Sequence, residues 1–177
     1  MATLRVISVP GLSARVLHDR ADELPSLCGM VAATVAVLDG ASPEQLEAAL
    51  ITGLLPEYHN RPGVLPFWHG LSARVETEHP LRETWRAWGK RDLQLDLRTS
   101  VFDLVALEAE AGGDAPLVIL SSCAFVHGSP VGQHAHPLDR PVLLTRGLEQ
   151  SKNCVGILEI AGILRRALTG ERLTDAL

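Results

Sequence analysis

The hexapeptide Gly-Leu-Ser-Ala-Arg-Val occurs twice in this chain, at residues 11–16 and again at residues 70–75. Each copy is followed by a charged stretch of helix-forming residues, a glycine, a run rich in Val or Leu, and a serine placed to open another helix. Self-similarity of this kind is the sequence signature of an internally repeated architecture. We therefore predict that the chain is built from duplicated units in which Gly11 is equivalent to Gly70.

The first unit begins with apolar segments of strand length. Residues 4–9 read as a strand, and Pro-Gly then bends the chain into a second extended piece at residues 13–17. A short helix is expected around residues 20–27. Residues 30–38 are rich in Val and Ala and lie between a glycine and an Asp-Gly turn, which favours a buried strand over a helix of nine residues.

Capping signals then predict a helix in each of the first two units. Ser42 can cap the first of these helices, Pro43 suits its first turn, and Gln45 completes a capping box. In the second unit, residues 93–97 alternate as a half-exposed strand should, and Ser100 takes the place of Ser42. The repeat therefore predicts a helix beginning near residue 101, where composition alone favours a strand.

The third unit is visible but degenerate. We expect strands over residues 116–126 and 142–145, and a long helix over residues 151–168. With unit boundaries at 2–60, 61–114 and 115–177, the chain is predicted to be a single α/β domain of tandem β/α repeat units. Two of these units are clear and the third is degenerate. The helices are expected to cover one face of a sheet.

Composition excludes several classes of protein. The chain has 177 residues, of which 46% are apolar, so one domain can bury a substantial core. A net charge of −5 without a concentrated basic face argues against nucleic acid or a membrane surface as partner. The N-terminus does not resemble a signal peptide, so we expect a cytoplasmic protein. Three widely spaced cysteines favour neither a disulfide framework nor a thiolate zinc site.

Three of the seven histidines lie in residues 121–140, directly after the most apolar strand candidate. In an extended backbone, His134 and His136 point to the same side, which is the geometry for two imidazoles to bind one metal ion. His127 or Asp139 would be the third ligand, and a divalent ion is the cofactor this pattern suggests. The alternative interpretation is a polar loop that follows a core strand.

The repeat makes His69 and His127 equivalent, because the tetrapeptides at residues 67–70 and 125–128 match. Equivalent residues of duplicated units can converge on a shared cleft, so we predict that both imidazoles act as catalytic acids or bases. The alternative is that each histidine is half-buried and bonds a local carbonyl at a repeated turn.

Cys123 is the third predicted catalytic residue, since a thiolate beside an imidazole is an effective nucleophile. A spacing of four residues along a strand leaves Cys123 more than about 10 Å from His127, so a pair between them requires a bend. His69 or His134 is the alternative partner. A lone cysteine after an apolar run can equally be a core residue.

A substrate would need apolar walls and a few polar contacts. We assign the walls to Phe67, Trp68 and Phe125, and a polar contact to Ser122, which adjoins Cys123. The sequence therefore predicts a small soluble enzyme that acts on a small-molecule ligand by histidine acid/base or metal-assisted chemistry. The alternative is a non-catalytic protein that binds a small molecule or assembles as a homo-oligomer through apolar helix faces.

Overall fold

The computed structural model of the chain describes residues 4–42, 45–46, 49–50, 93–97, 103–148 and 152–169. Its main feature is a sheet of six strands in the order β3-β1-β4-β7-β2-β8. The six strands of this sheet are β1 (Leu4–Ser8), β2 (Val31–Ala36), β3 (Leu93–Leu97), β4 (Leu117–Leu120), β7 (Val142–Arg146) and β8 (Cys154–Gly156). Two further short strands, β5 (Phe125–Val126) and β6 (Ser129–Pro130), form a separate hairpin.

The sheet is mixed, because one strand runs against the rest. β1 is parallel to both β3 and β4, and β2 is parallel to β8. β7 lies between β4 and β2 and is antiparallel to both. The carboxyl ends of the other five strands therefore share one edge of the sheet, and the loops that follow β1, β2 and β4 leave from that edge.

Four helices complete the secondary structure of the described residues, together with short 3-10 turns at Ala21–Glu23 and Pro137–Asp139. The helices are α1 (Ala14–Asp19), α2 (Pro25–Cys28), α3 (Leu104–Ala111) and α4 (Glu159–Thr169). Helical backbone is also present at residues 45–46 and 49–50. The predicted mixed α/β class is confirmed.

Both faces of the sheet are buried. Ile119 of β4 packs on one face with residues of α1, α2 and α3, which we call the α1 face. Val118 of β4 packs on the other face with residues of α4 and with Leu46 and Leu50, which we call the α4 face. All four residues of β4 are buried, so each face needs its own cover. The expectation that helices cover one face is therefore not confirmed.

Helical backbone is present at both places where capping signals predicted a helix, but only the first of the two has its predicted cap. The N–H of Ser42 donates to Gln45 Oε1 at 2.9 Å, and the N–H of Gln45 donates to Ser42 Oγ at 3.3 Å, which is the predicted capping box. Residues 104–111 are helical, as the repeat predicted. Asp103 caps this helix by accepting from the N–H of Ala106 at 2.9 Å, and Ser100 lies outside the described residues.

The extended conformation predicted for residues 13–17 is wrong. Ser13 Oγ accepts from the N–H of Val16 at 3.4 Å and caps α1, so the turn at Gly11 leads directly into a helix. Ser13 is buried, and the helix that it caps buries Leu17 on the α1 face. The Ser13 cap and the burial of Leu17 stabilise a helix over these residues, and the prediction of an extended segment had considered neither.

The long helix predicted over residues 151–168 is also wrong in its first half. Residues 154–156 form β8, which pairs with β2 and buries Val155 on the α4 face. The helix begins only at Glu159, whose carboxylate accepts from the N–H of Gly156 at 2.8 Å. The strand predicted over residues 116–126 ends at Leu120, and the chain then leaves the sheet.

The duplication itself is a prediction that the described residues do not test. The second hexapeptide, at residues 70–75, lies outside them, as do most residues of the second unit. The superposition of Gly11 on Gly70 and the single-domain organisation therefore stay predictions.

α2 and α3 are joined by one carboxylate. Glu108 of α3 accepts from the N–H of Ser26 at 2.6 Å and from the N–H of Leu27 at 2.9 Å. The N-cap of α2 is Leu24, which makes no side-chain capping bond. Glu108, from another helix, therefore accepts hydrogen bonds from N–H groups in the first turn of α2 that have no partner within the helix. Partial burial opposes ionisation, but the hydrogen bonds to Ser26 and Leu27 outweigh it and lower the pKa of Glu108.

Replacing Glu108 by Gln should lower the free energy of unfolding at neutral pH by about 1–2 kcal/mol, because the charge-assisted bonds to α2 are weakened. The pKa of Glu108 is lowered in the folded state, so its stabilisation is present above its ordinary pKa of 4.5 and is lost as the pH falls through the lowered value. Urea unfolding at several pH values measures both effects. The exposed Glu23, which pairs with Arg20 on the surface, provides the control variant Glu23→Gln. An equal loss in both variants, or a loss in Glu108→Gln that persists in acid, would contradict this account.

Candidate functional site

The loop of residues 121–141 connects β4 to β7 and is tied to the segment that follows β1. The N–H of Val9 donates to the carbonyl of Leu120 at 2.8 Å, and the N–H of Gly11 donates to the carbonyl of Cys123 at 2.9 Å. At the other end of the loop, the N–H of Ala14 donates to the carbonyl of Arg140 at 3.0 Å. The loop therefore begins and ends beside the carboxyl end of β1, where ligands of parallel sheets commonly bind.

The first part of this loop is the β5–β6 hairpin. Phe125 pairs with Pro130 and Val126 with Ser129, so His127 and Gly128 form a turn of two residues. Both turn residues have positive φ, 49° for His127 and 81° for Gly128, as a type I′ turn requires. His127 therefore lies exposed at the hairpin tip.

His134 and His136 follow on the same loop, but they have different partners. The side chain of His134 is 87% exposed, and its Nε2 lies 4.0 Å from Asp39 Oδ2. His136 is exposed, and its Nδ1 accepts from the N–H of Leu138 at 3.3 Å at the start of the 3-10 turn. That bond places the proton of the neutral His136 ring on Nε2, which can then donate a hydrogen bond to a ligand.

Within the part of the chain that the structure describes, no group of three or more His, Cys, Asp or Glu side chains is arranged to hold a metal ion. The histidine cluster and the metal site predicted around His134 and His136 are therefore not shown. Zinc and similar ions need at least three protein ligands with well-defined geometry, which two exposed imidazoles on separate partners do not supply.

Asp139, in the second half of the loop, forms an ion pair with α1. Its Oδ1 accepts from Arg15 Nε at 2.5 Å. The hydrogen bond from Arg15 lowers the pKa of Asp139, partial burial opposes the shift, and the charges of Arg15, His136 and His127 lower the pKa further. Asp139 was considered in the sequence only as a metal ligand, and its link to α1 was missed. Arg15 belongs to the repeated hexapeptide, and this repetition is the one sequence feature that could have drawn attention to it.

Further bonds hold the loop that carries the histidines. Arg140 donates from Nε to the carbonyl of Ala135 at 3.1 Å and from Nη2 to the carbonyl of Gln133 at 3.2 Å. Asp39, in the segment that follows β2, accepts from the N–H of Gln133 at 2.7 Å. The backbone around His134 is therefore fixed from two sides, although its side chain is exposed.

Cys123 and Ser122 lie beneath this loop. Each is 1% exposed, and Cys123 packs in the apolar cluster of the α4 face. The carbonyl of Cys123 also accepts from Ser121 Oγ at 2.7 Å, which fixes the backbone of this segment. Ser122 Oγ is buried without a hydrogen-bond partner among the described residues. Neither side chain reaches solvent in this arrangement, so their catalytic and substrate-binding roles stay predictions.

The other predicted site residues, Phe67, Trp68 and His69, lie outside the described residues. The expected convergence of His69 with His127 is therefore untested.

No protein-family model, curated protein or solved structure is significantly similar to this chain. Among the helices of the described ranges, none is long and apolar enough to cross a membrane. The argument for function therefore depends on the side chains of the loop and their neighbours.

Replacing Arg15 by Gln should raise the pKa of Asp139, because the hydrogen bond and the charge of Arg15 both favour the carboxylate. A carboxyl-carbon NMR titration of Asp139 measures the midpoint in both proteins. Arg20→Gln is the matched control, since Arg20 is a surface arginine that pairs with Glu23 instead. An Asp139 midpoint that is the same in all three proteins would contradict the pairing of Arg15 with Asp139.

Proposed function

We propose that this protein is a small enzyme that acts on a small molecule by histidine acid/base chemistry at the loop of residues 121–141. His127 is the proton carrier and His136 an oriented hydrogen-bond donor, and the observation that carries this assignment is the Asp139 carboxylate, which Arg15 holds on the same loop. Asp139 is held by Arg15 and interacts electrostatically with both imidazoles. A fixed carboxylate that orients or charges an imidazole is the usual support for a histidine acid or base.

The local bonds suggest how the work is divided between the two imidazoles. His136 has Nδ1 committed as acceptor to the N–H of Leu138, which fixes its ring and leaves the proton of the neutral imidazole on Nε2. His127 lies at a hairpin tip and makes no comparably fixed bond among the described residues. We therefore assign His136 as an oriented hydrogen-bond donor to the substrate and His127 as the acid or base.

The remaining sequence predictions belong to the same proposal. Cys123 is the candidate nucleophile beneath the loop, with His127, His134 or His69 as its partner, and Ser122 is the neighbouring polar contact. Phe67 and Trp68 are the proposed apolar walls of the substrate site. In the metal-assisted form of the chemistry, His134 and His136 would hold a divalent ion, with His127 or Asp139 as the third ligand.

The finer architecture is proposed on sequence alone. The exact hexapeptide supports duplicated units within one domain. Three widely spaced cysteines without a disulfide pattern support a reducing, cytoplasmic location.

The test measures hydrolysis of a panel of chromogenic esters by wild type, His127→Gln and His136→Gln, each over a range of pH. Both substitutions should reduce kcat/KM by about 100-fold or more, which is the usual contribution of a positioned acid, base or hydrogen-bond donor. The pH dependence of the wild-type rate should be altered in His127→Gln, because its proton carrier is removed. His18→Gln is the matched control, because His18 is an exposed imidazole that pairs with Asp19.

Metal analysis of untagged protein decides between the two forms of the chemistry. Stoichiometric metal that is lost in a His134→Ala/His136→Ala variant supports the metal-assisted form, and metal-free activity supports acid/base chemistry alone. Turnover that is unchanged in both His127→Gln and His136→Gln would reject the proposal, as would a complete lack of turnover across the panel.

Homo-oligomeric assembly is a second candidate function, and the hairpin favours it. Phe125 is 47% exposed and Val126 is 38% exposed, although neighbouring residues of a strand point to opposite sides. A two-stranded hairpin that presents apolar side chains on both sides is better suited to a partner surface than to water. A second copy of this chain would cover it.

Replacing Phe125 by Ser should then dissociate an oligomer of the wild type, because an apolar anchor is removed from its interface. Sedimentation at micromolar protein concentration measures the change. Val105→Ser is the matched control, since Val105 is 76% exposed on α3. A wild type that is monomeric across the concentration range would remove the assembly function.

A further inference from the structure

A groove lies on the α1 face of the sheet, and its lining includes residues of α1 and β2. Its volume is about 450 Å³. Ala14 and Leu17 of α1 form one wall, Cys28 of α2 forms one end, and Ala32 and Thr34 of β2 form the floor. Asn153, which precedes β8, lies on the opposite side. Residues of the proposed acid/base site do not line this groove.

The groove exists because β2 carries small side chains on this face. Ala32 is opposite Leu144 of β7, and Thr34 is opposite Val142. Leu144 and Val142 are buried in the cluster of the α1 face, whereas Ala32 is exposed and Thr34 is partly exposed. The apolar cover provided by α1 and α2 therefore ends at β7, and the shorter side chains of β2 leave space beside it.

The side chains around the groove define what it can bind. Eleven residues line it, and none of them is Lys, Arg, Asp or Glu. Thr34 Oγ1 donates to the carbonyl of Asn153 at 3.4 Å, and Cys28 Sγ donates to the carbonyl of Leu17 at 3.6 Å. The side-chain amide of Asn153 has no hydrogen-bond partner among the described residues. His18 has Nδ1 beside Asp19 at 3.0 Å, which leaves its Nε2 available at the rim.

We propose that this groove is a binding site for an uncharged, largely apolar small molecule with a polar group that hydrogen-bonds Asn153 or His18. The volume lies in the range of small-molecule sites, which are mostly apolar with a few polar contacts. A second protein chain would require 20–30 contacting residues on each side, roughly twice what the groove offers. A charged ligand would lose its hydration without gaining an ionic partner.

Cys28 reports on occupancy of the groove and is not its reactive centre. Partial burial and the nearby Glu108 carboxylate raise the pKa of the Cys28 thiol, so it stays protonated at neutral pH. Its exposure still permits slow alkylation in mildly alkaline buffer. Cys154 is exposed and does not line the groove, and Cys123 is buried. Labelling of Cys28 therefore reports on the groove, labelling of Cys154 is the internal control, and the buried Cys123 should not be labelled.

The first measurement uses the neutral dye N-phenylnaphthylamine and its anionic counterpart anilinonaphthalenesulfonate. The neutral dye should bind saturably, and at ten times its Kd it should slow iodoacetamide labelling of Cys28 by about tenfold while labelling of Cys154 is unchanged. Peptide mass spectrometry reads both sites in one sample. Saturable binding that leaves Cys28 unprotected, or a lack of saturable binding, would overturn the proposal. Equal or tighter binding of the anionic dye would overturn its claim of an uncharged ligand.

The second measurement fills the groove. Ala32→Trp should weaken binding of the neutral dye by about tenfold or more, because the indole occupies the space above β2. The neighbouring Val31→Trp is the matched control, since Val31 is 48% exposed and does not line the groove. Unchanged dye affinity in a folded Ala32→Trp protein would contradict the assignment. The wild-type protection of Cys28 decides the question even if that variant fails to fold. None of these readouts depends on catalytic activity.

Discussion

Burial of β4 on both faces is the constraint on which the rest of the structure depends. Leu117, Val118, Ile119 and Leu120 are all apolar and all buried, so this strand needs cover on each side. α1, α2 and α3 cover one face, and α4 covers the other. A strand in this position must also leave the sheet at its carboxyl edge. The loop with the candidate histidines therefore starts from the most firmly held backbone in the described residues.

The sequence was informative at several places where structure depends on nearby residues, although it missed the local Ser13 cap of α1. The helix over residues 104–111 was predicted from the repeat against its local composition, whereas the Ser42–Gln45 capping box and the strand β2 follow from signals within a few positions. β8 does not, because three residues are too few for a periodic pattern and their conformation depends on pairing with β2 more than a hundred positions away. The same limit applies to β4, whose end at Leu120 is set by its neighbours in the sheet.

The candidate site was predictable in composition but not in geometry. The density of histidine after an apolar run pointed to residues 121–140, and the structure does set this segment at the carboxyl edge of the sheet. The interaction that organises it, between Arg15 and Asp139, joins residues 124 positions apart, and no local pattern encodes such a pair. The inward orientation of Cys123 was equally hidden, because side-chain direction after a strand depends on the bend that follows it.

α1 connects the two proposed sites. Arg15 reaches Asp139 in the 3-10 turn that packs against α1, whereas Leu17 and His18 line the groove. The helix has only six residues and depends on the Ser13 cap, on the bond from Ala14 to the carbonyl of Arg140, and on burial of Leu17. A helix this short has little stability of its own, so its position depends on these three contacts. Because Arg15 and Leu17 lie on the same short helix, the contacts that set the distance between Arg15 and Asp139 also set the position of the groove wall.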